Sequence, residues 1–248
     1  MRNHNEEYRD NADRKYAYDF DGVIRRYLLK TLMPHFINGG RALELGSYKG
    51  DMTEQILTYF PSITVVEAAS DLATLVQRRF PGRVSVVTAD FANAELGERF
   101  ENIFLIHTLE HLDDPVGILA RIRNWLTADG LLFVAVPNAN ALSRQIAVKM
   151  GLVEYNSAVT PAEAKHGHRC TYSMDVLLAQ LKKAGYRIED HGGVLLKPLA
   201  NYQFDQAIAS GIVSDAYLDA CHELSKTYPE LSASLFSVCS AGGAPKAN

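Results

Sequence analysis

The chain has 248 residues, 47% of them hydrophobic and 22% charged, the balance of an ordinary globular protein with a sizeable core. Its formal charge is -4 and its pI about 6.1, and no run of Lys or Arg forms the basic stripe that neutralises nucleic-acid phosphates, so nucleic acid is not an expected partner. No stretch of about 18 apolar residues is available to span a membrane.

The start, MRNHNEEYRDNADRKYAYDFDG, is polar and holds no apolar signal-peptide core. Tyr8, Tyr16, Tyr18 and Phe20 make it aromatic-rich; these rings either fold over a ligand or pack on the protein surface. Next, Val23, Ile24, Tyr27, Leu28, Leu32 and Phe36 fall at helical spacing, with Pro34 set to kink or shorten the helix. RALEL then reads as a buried strand and Met52 to Tyr59 as a helix. SITVVEA is a second strand and Asp71 to Phe80 a second helix. RVSVVTA and NIFLIH are the third and fourth strands. Asp113 to Leu126 reads as a helix, Gly130 as the turn behind it, and LLFVAVPN as a fifth strand. Strands alternating with helices at this pitch predict an α/β fold with parallel pairing, and continuous Val, Ile and Leu runs suit strands buried on both faces.

The alternation breaks over residues 138–172, which read as a short helix and a long loop covering the site. Ser173 is placed to cap a helix that runs to Ala184, with Gly185 ending it. YRIEDHGGVLL is a strand with a bulge expected at Gly192 and Gly193. Two helical segments, Tyr202 to Ala209 and Ser214 to Thr227, precede a closing strand, ASLFSVCSA, and the tail AGGAPKAN reads as frayed. No linker divides the chain, so residues 1–248 are expected to form one domain, with residues 1–40 as an N-terminal helical cap. Cys170, Cys221 and Cys239 are widely spaced and odd in number, the pattern of reduced thiols in a cytoplasmic protein.

The chemistry gathers at strand ends. In RALELGSYKGDMTEQIL, Glu44 ends the first strand and Gly46 and Gly50 shape the loop behind it, where an open parallel sheet binds ligands. A dinucleotide fingerprint would need glycines where Tyr48 and Asp51 stand, and a phosphate loop would need Lys after Gly rather than Lys49 before Gly50. Both phosphate readings fail. Glu44 suits a cation such as an ammonium group. Glu67, ending the second strand, can accept both hydroxyls of a ribose. Asp90, after the third strand, can accept from an exocyclic amine, with Phe91 beside a base. Taken singly, Glu44 also reads as a surface acid, Asp90 as a helix cap and the glycines as plain turns. Together the acids describe a ligand with an amino group, a ribose and an adenine, and no phosphates.

That set resembles the class I S-adenosylmethionine (SAM)-dependent methyltransferases. ELGSYKG is similar to their first motif at Glu44, Gly46 and Gly50, with Tyr48 in place of the middle glycine. VVEAAS is similar to the ribose motif at Glu67, TADF to the adenine motif at Asp90 and Phe91, and residues 106–138 to the block that follows. The resemblance implies a Rossmann-like, seven-stranded mixed sheet whose last strand is antiparallel, with helices on both faces. It also implies SAM as cofactor, held by Glu44, Gly46, Ser47, Gly50, Glu67, Ala68, Asp90, Phe91, His107, Thr108 and Leu109. The Asn-Pro-Pro-aromatic run of nucleic-acid amino methyltransferases is missing, which disfavours an exocyclic-amine substrate.

Methyl transfer from a sulfonium needs a positioned acceptor and dry surroundings; an alcohol acceptor also needs a base or a metal. His111 reads as that base, as a metal ligand, or as a tie between loop and backbone. His107, Glu110 and His111 form H-x-x-E-H; some relatives with E-x-x-E-H here bind a divalent ion, but His107 replaces their first Glu and no metal is assigned. KHGHRCTY adds a second cluster, in which His168 is a base or a lid latch and Arg169 pairs with an acid of the substrate or of the protein. A similar G-H-x-R-x-Y run, and tails like LKPLAN, occur in saccharide-pathway methyltransferases. Residues 201–231 read as an insertion that builds an acceptor pocket or a homodimer face. The reading is methylation of a small-molecule acceptor, oxygen favoured. The alternatives are a SAM-binding protein without turnover, an NAD-dependent oxidoreductase, and a methyltransferase acting on protein or RNA.

Overall fold

The computed structural model describes residues 5–6 and 19–242. Tyr8, Tyr16, Tyr18 and the tail from residue 243 lie outside the described residues. Helix α1 (Asp19–Leu32) starts with two acids, Asp19 and Asp21, at its positive end and buries Ile24, Leu28 and Leu32 on one face. It stops where Pro34 removes a backbone donor, and a 3₁₀ turn over Met33–His35 follows.

Strand β1 (Ala42–Leu45) leads into α2 (Asp51–Ile56), β2 (Ile63–Glu67), α3 (Ser70–Arg79), β3 (Val84–Thr88) and β4 (Phe100–Ile106). Helix α4 (Pro115–Arg123) is capped by Asp114, which accepts from the Gly117 N–H at 3.0 Å. It ends before Leu126, which instead opens β5 (Leu126–Pro137). Gly130 lies within that strand rather than in a turn. The register breaks there, and a Cβ on Gly130 would stand 2.7 Å from the Phe100 carbonyl oxygen. Residues 138–172 hold two helices, α5 (Leu142–Lys149) and α6 (Pro161–Lys165), in place of one helix and a long loop. Then come α7 (Met174–Lys183), β6 (Arg187–Leu196), α8 (Asn201–Ala209), α9 (Asp215–Thr227) and β7 (Ser232–Ser240).

The seven strands run in the order β3-β2-β1-β4-β5-β7-β6. Strands β1 to β5 pair in parallel, while β7 lies antiparallel between β5 and β6. The order reverses between β1 and β4, which opens a crevice at their carboxyl ends. Neighbouring residues of one strand enter different cores. Phe104 and Phe133 face α1, α2 and α9, whereas Ile103, Leu105, Leu132 and Val134 face α4 and α7. That is why these strands read as unbroken apolar runs, and why helices cover both faces.

Two local expectations are corrected. The β6 irregularity falls between Ile188 and Asp190, not at Gly192 and Gly193. Those glycines are needed because a side chain on Gly193 would strike Ser232 and the Pro229 carbonyl. Ser173 occupies the position before α7, but its hydroxyl bonds Asp175 and caps no backbone N–H. The three cysteines are free thiols, and no helix among the described residues is long and apolar enough to cross a membrane.

The larger core centres on Phe36, whose ring lies 5.2–5.5 Å from those of Tyr59, Phe60, Phe104 and Phe133. Phe36→Ala is expected to cost about 3–5 kcal/mol of stability, read as a lowered midpoint in urea unfolding.

Candidate active site

The loop after β1 turns sharply. Gly46 and Gly50 take φ of 80° and 88°, and Tyr48 takes 49°, so the residue at the middle-glycine position adopts the left-handed backbone that a glycine would. Gly46 also lies against Thr108: a Cβ there would sit 2.8 Å from Thr108 Oγ1. Thr108 is fixed in turn by donating to the Leu45 and Ile106 carbonyls.

Glu67 holds this loop. Its Oε2 accepts from the Ser47 N–H at 3.0 Å, the Tyr48 N–H at 3.1 Å and the Ser47 hydroxyl at 3.3 Å; its Oε1 accepts from the Ala69 N–H at 3.1 Å. Asp90 closes a tight turn, accepting from the Asn93 N–H at 2.9 Å and the Asn93 side chain at 2.8 and 2.9 Å. An acceptor position remains on Glu67 Oε1 and another on Asp90 Oδ2.

These strand ends enclose a cavity of about 920 Å³. Eight of the residues expected to hold a cofactor line it: Gly46, Ser47, Glu67, Ala68, Asp90, Phe91, His107 and Thr108. Glu44, Gly50 and Leu109 do not. Glu44 is buried beneath the loop, where Thr53 Oγ1 donates to it at 2.6 Å. Gly50 starts α2 with Phe80 close beside it, and Leu109 is a core residue. Burial pushes the Glu44 carboxyl up to about 8, against the opposing bond from Thr53.

His111 and His168 are 57 positions apart in sequence, yet their rings meet edge to face with centroids 4.6 Å apart on the cavity wall. The H-x-x-E-H spacing does not gather its first member. His107 turns aside with φ of 49°, and its Nε2 shares a 2.9 Å hydrogen bond with Ser234 Oγ. Burial, then the nearby Arg25 and His168, push its imidazole down to about 3. The group that does gather is Glu110, His111 and His168, with one donor atom from each within 4.8 Å of the others, a mixed set of the kind divalent ions accept. Burial pushes Glu110 up to about 8 and leaves its Oε2 without a hydrogen-bond partner. Burial also pushes His168 down.

Sequence reasoning expected segments that cover the cavity but did not single out their lining residues. Asp21, Ile24 and Arg25 of α1, Asn201 of α8, Glu163 of α6 and His166 just behind it also line it. Nothing local marks them; only the polar face of α1 and the insertion itself hinted that something covers the sheet.

A methyltransferase-domain family model matches residues 12–191. This chain is a class I SAM-dependent methyltransferase by family and by fold. It is similar to the ubiquinone biosynthesis O-methyltransferase of Xanthomonas euvesicatoria, with 26% identity over 170 residues, 66% of this chain and 69% of the relative. In fold it is similar to a Thermotoga maritima structure described as a possible histamine N-methyltransferase, at 17% identity and a TM-score of 0.62, covering 95% of this chain and 99% of that one. It is also similar to the N-methyltransferase NodS of Bradyrhizobium japonicum in complex with S-adenosyl-L-homocysteine (SAH), at 12% identity and a TM-score of 0.59, covering 95% and 96%. The methyltransferase's own residues fit the family's SAM cofactor. The close approach of Gly46 to Thr108 keeps side chains out of the turn beside the cavity, and Glu67 and Asp90 stand on the cavity wall with acceptor capacity for a ligand's donors.

Glu44 gives a pH test. Its folded value of about 8 lies above the ordinary 4.5, so between those values the folded state keeps a proton that the unfolded chain has lost. Stability therefore falls as pH rises through that window. Glu44→Gln removes this slope, whatever fixed offset the amide brings. The variant's stability relative to the parent is expected to rise by more than about 1 kcal/mol between pH 5 and pH 8, measured by urea unfolding at both pH values.

Proposed function

We propose that this methyltransferase moves a methyl group from SAM to a hydroxyl of a small-molecule acceptor. One observation carries the reading: the strand-end cavity continues past the Gly46 loop and Glu67 to a wall where His111 and His168 stand ring to ring. A volume of about 920 Å³ is at the upper end of small-molecule sites, enough for a nucleoside donor and a modest acceptor.

In this reading Glu67 Oε1 accepts from the ribose, Asp90 accepts from the adenine amine beside Phe91, and the Gly46 loop carries the methionine end. SAM supplies an activated methyl group. The protein supplies orientation and dryness: α1 and α8 roof the cavity, and residues 138–172 act as a lid. A hydroxyl acceptor must lose its proton as the new C–O bond forms. His168 is held as the neutral imidazole by burial, the form that can accept that proton, and His111 stands beside it. Similarity to an O-methyltransferase of Xanthomonas supports oxygen as the acceptor atom. The net charge of -4 speaks against RNA.

Calorimetry with SAH tests the cofactor half. Glu67→Ala removes acceptors for the ribose and unties the loop, and affinity is expected to fall about 10- to 100-fold; unchanged affinity would refute the assignment. Mass spectrometry of a panel of polyol and phenol acceptors tests the other half. His168→Ala is expected to reduce product formation at least about 10-fold with SAH affinity unchanged.

A further inference from the structure

Beside the histidine pair, one cation gathers several hydrogen bonds at once. Arg144, in α5, forks onto Glu163 of the lid helix, with Nη1 to Oε1 at 2.6 Å and Nη2 to Oε2 at 3.2 Å. The same guanidinium donates to the Asn156 carbonyl at 2.5 Å and to the Ala158 carbonyl. Only 14% of its side chain is exposed. One residue thus ties both ends of the irregular stretch between α5 and α6.

Glu163 distributes that grip. Its carboxylate also accepts from the Thr160 N–H at 2.8 Å, completing a capping box with the Thr160 hydroxyl. Its carbonyl accepts from the His166 and His168 N–H groups, both at 3.0 Å. Burial works to raise the Glu163 carboxyl, and Arg144 with the Thr160 N–H more than offset it, holding it below the ordinary range. Helix α6 has only five residues, too few to be stable without tertiary support. Arg144 is well placed to give it, because α5 is itself anchored: Ser143 N–H donates to the Lys197 carbonyl at the end of β6, and Ala139 N–H to the Tyr172 carbonyl.

We propose that Arg144 is a positioning residue for the acceptor half of the site: its fork on Glu163 holds α6 closed over the cavity and sets the His168 ring against His111. The proposal rests on the reading of His168 as an acceptor-side group. A lysine would keep the charge but not the planar fork, and so could not grip both carboxylate oxygens and the two carbonyls at once. The groups facing His168 are Glu163, His166 and Arg144 from the α6 side, and His107, Glu110 and His111 from the wall.

The test is imidazole NMR of the full chain, with and without SAH, which needs no identified acceptor. In the parent, a cross-peak is expected to join the His111 and His168 rings. In Arg144→Lys and in Glu163→Gln, the cross-peak is expected to be lost. SAH affinity of Arg144→Lys is expected to stay within about twofold. A cross-peak unchanged in both variants overturns the proposal. So does global unfolding of both variants by circular dichroism, which would make the pair a support of the whole fold. A lost cross-peak in a protein whose methyl transfer is indifferent to His168→Ala would instead keep the clamp and reject the acceptor reading.

Discussion

A single buried carboxylate organises the site. Glu67 ends β2, and with its two oxygens it takes four donors from the loop after β1 and from its own strand's exit. A carboxylate removed from water needs such donors, and a loop that turns through three positive φ angles needs something to hold its N–H groups. Each requirement answers the other. The parallel register of β1 and β2 sets the meeting, because Leu45 pairs with Val66 and so brings the β1 exit beside Glu67. If that pairing slipped, the left-handed loop would lose its anchor and the cavity its floor.

The rest of the cavity follows from the sheet's reversal between β1 and β4 and from what covers it. Helix α1 and the inserted helix α8 form a joint roof: Phe20 stacks on Phe204 at 4.3 Å, Asn201 donates to Asp21 at 2.6 Å, and the Phe20 N–H donates to Asp205 at 2.8 Å. Residues near the two ends of the chain thus meet over the carboxyl ends of the strands.

Burial gives the histidine wall its character. His107 and His168 are pushed toward the neutral form and Glu110 toward the protonated one, so the wall carries less charge than its residue types suggest. The charged pair beside it, Arg144 with Glu163, is mostly buried and matched in sign, so it adds no net charge to the wall. Neutral imidazoles beside a cationic donor avoid like-charge repulsion while keeping a lone pair for a proton.

How much of this was legible in the chain depends on the range of the interaction. The order of strands and helices was readable because two-sided burial leaves continuous apolar runs, and the places of Gly46 and Glu67 on the cavity wall were readable because both stand at strand ends. Even so, the pattern misread Gly130, Glu44 and the β6 glycines. Their surroundings are set by the Phe100 carbonyl, by Thr53 across the loop and by the close approach of the β7 entry, none of them neighbours along the chain. The sequence by itself determined the parallel α/β order and the acids at strand ends, since those follow from local periodicity. Only the tertiary structure decided that Glu44 would be buried, that His107 would turn to Ser234, and that His111 and His168 would meet, because side chains far apart in the chain come together only when packing brings their elements into contact.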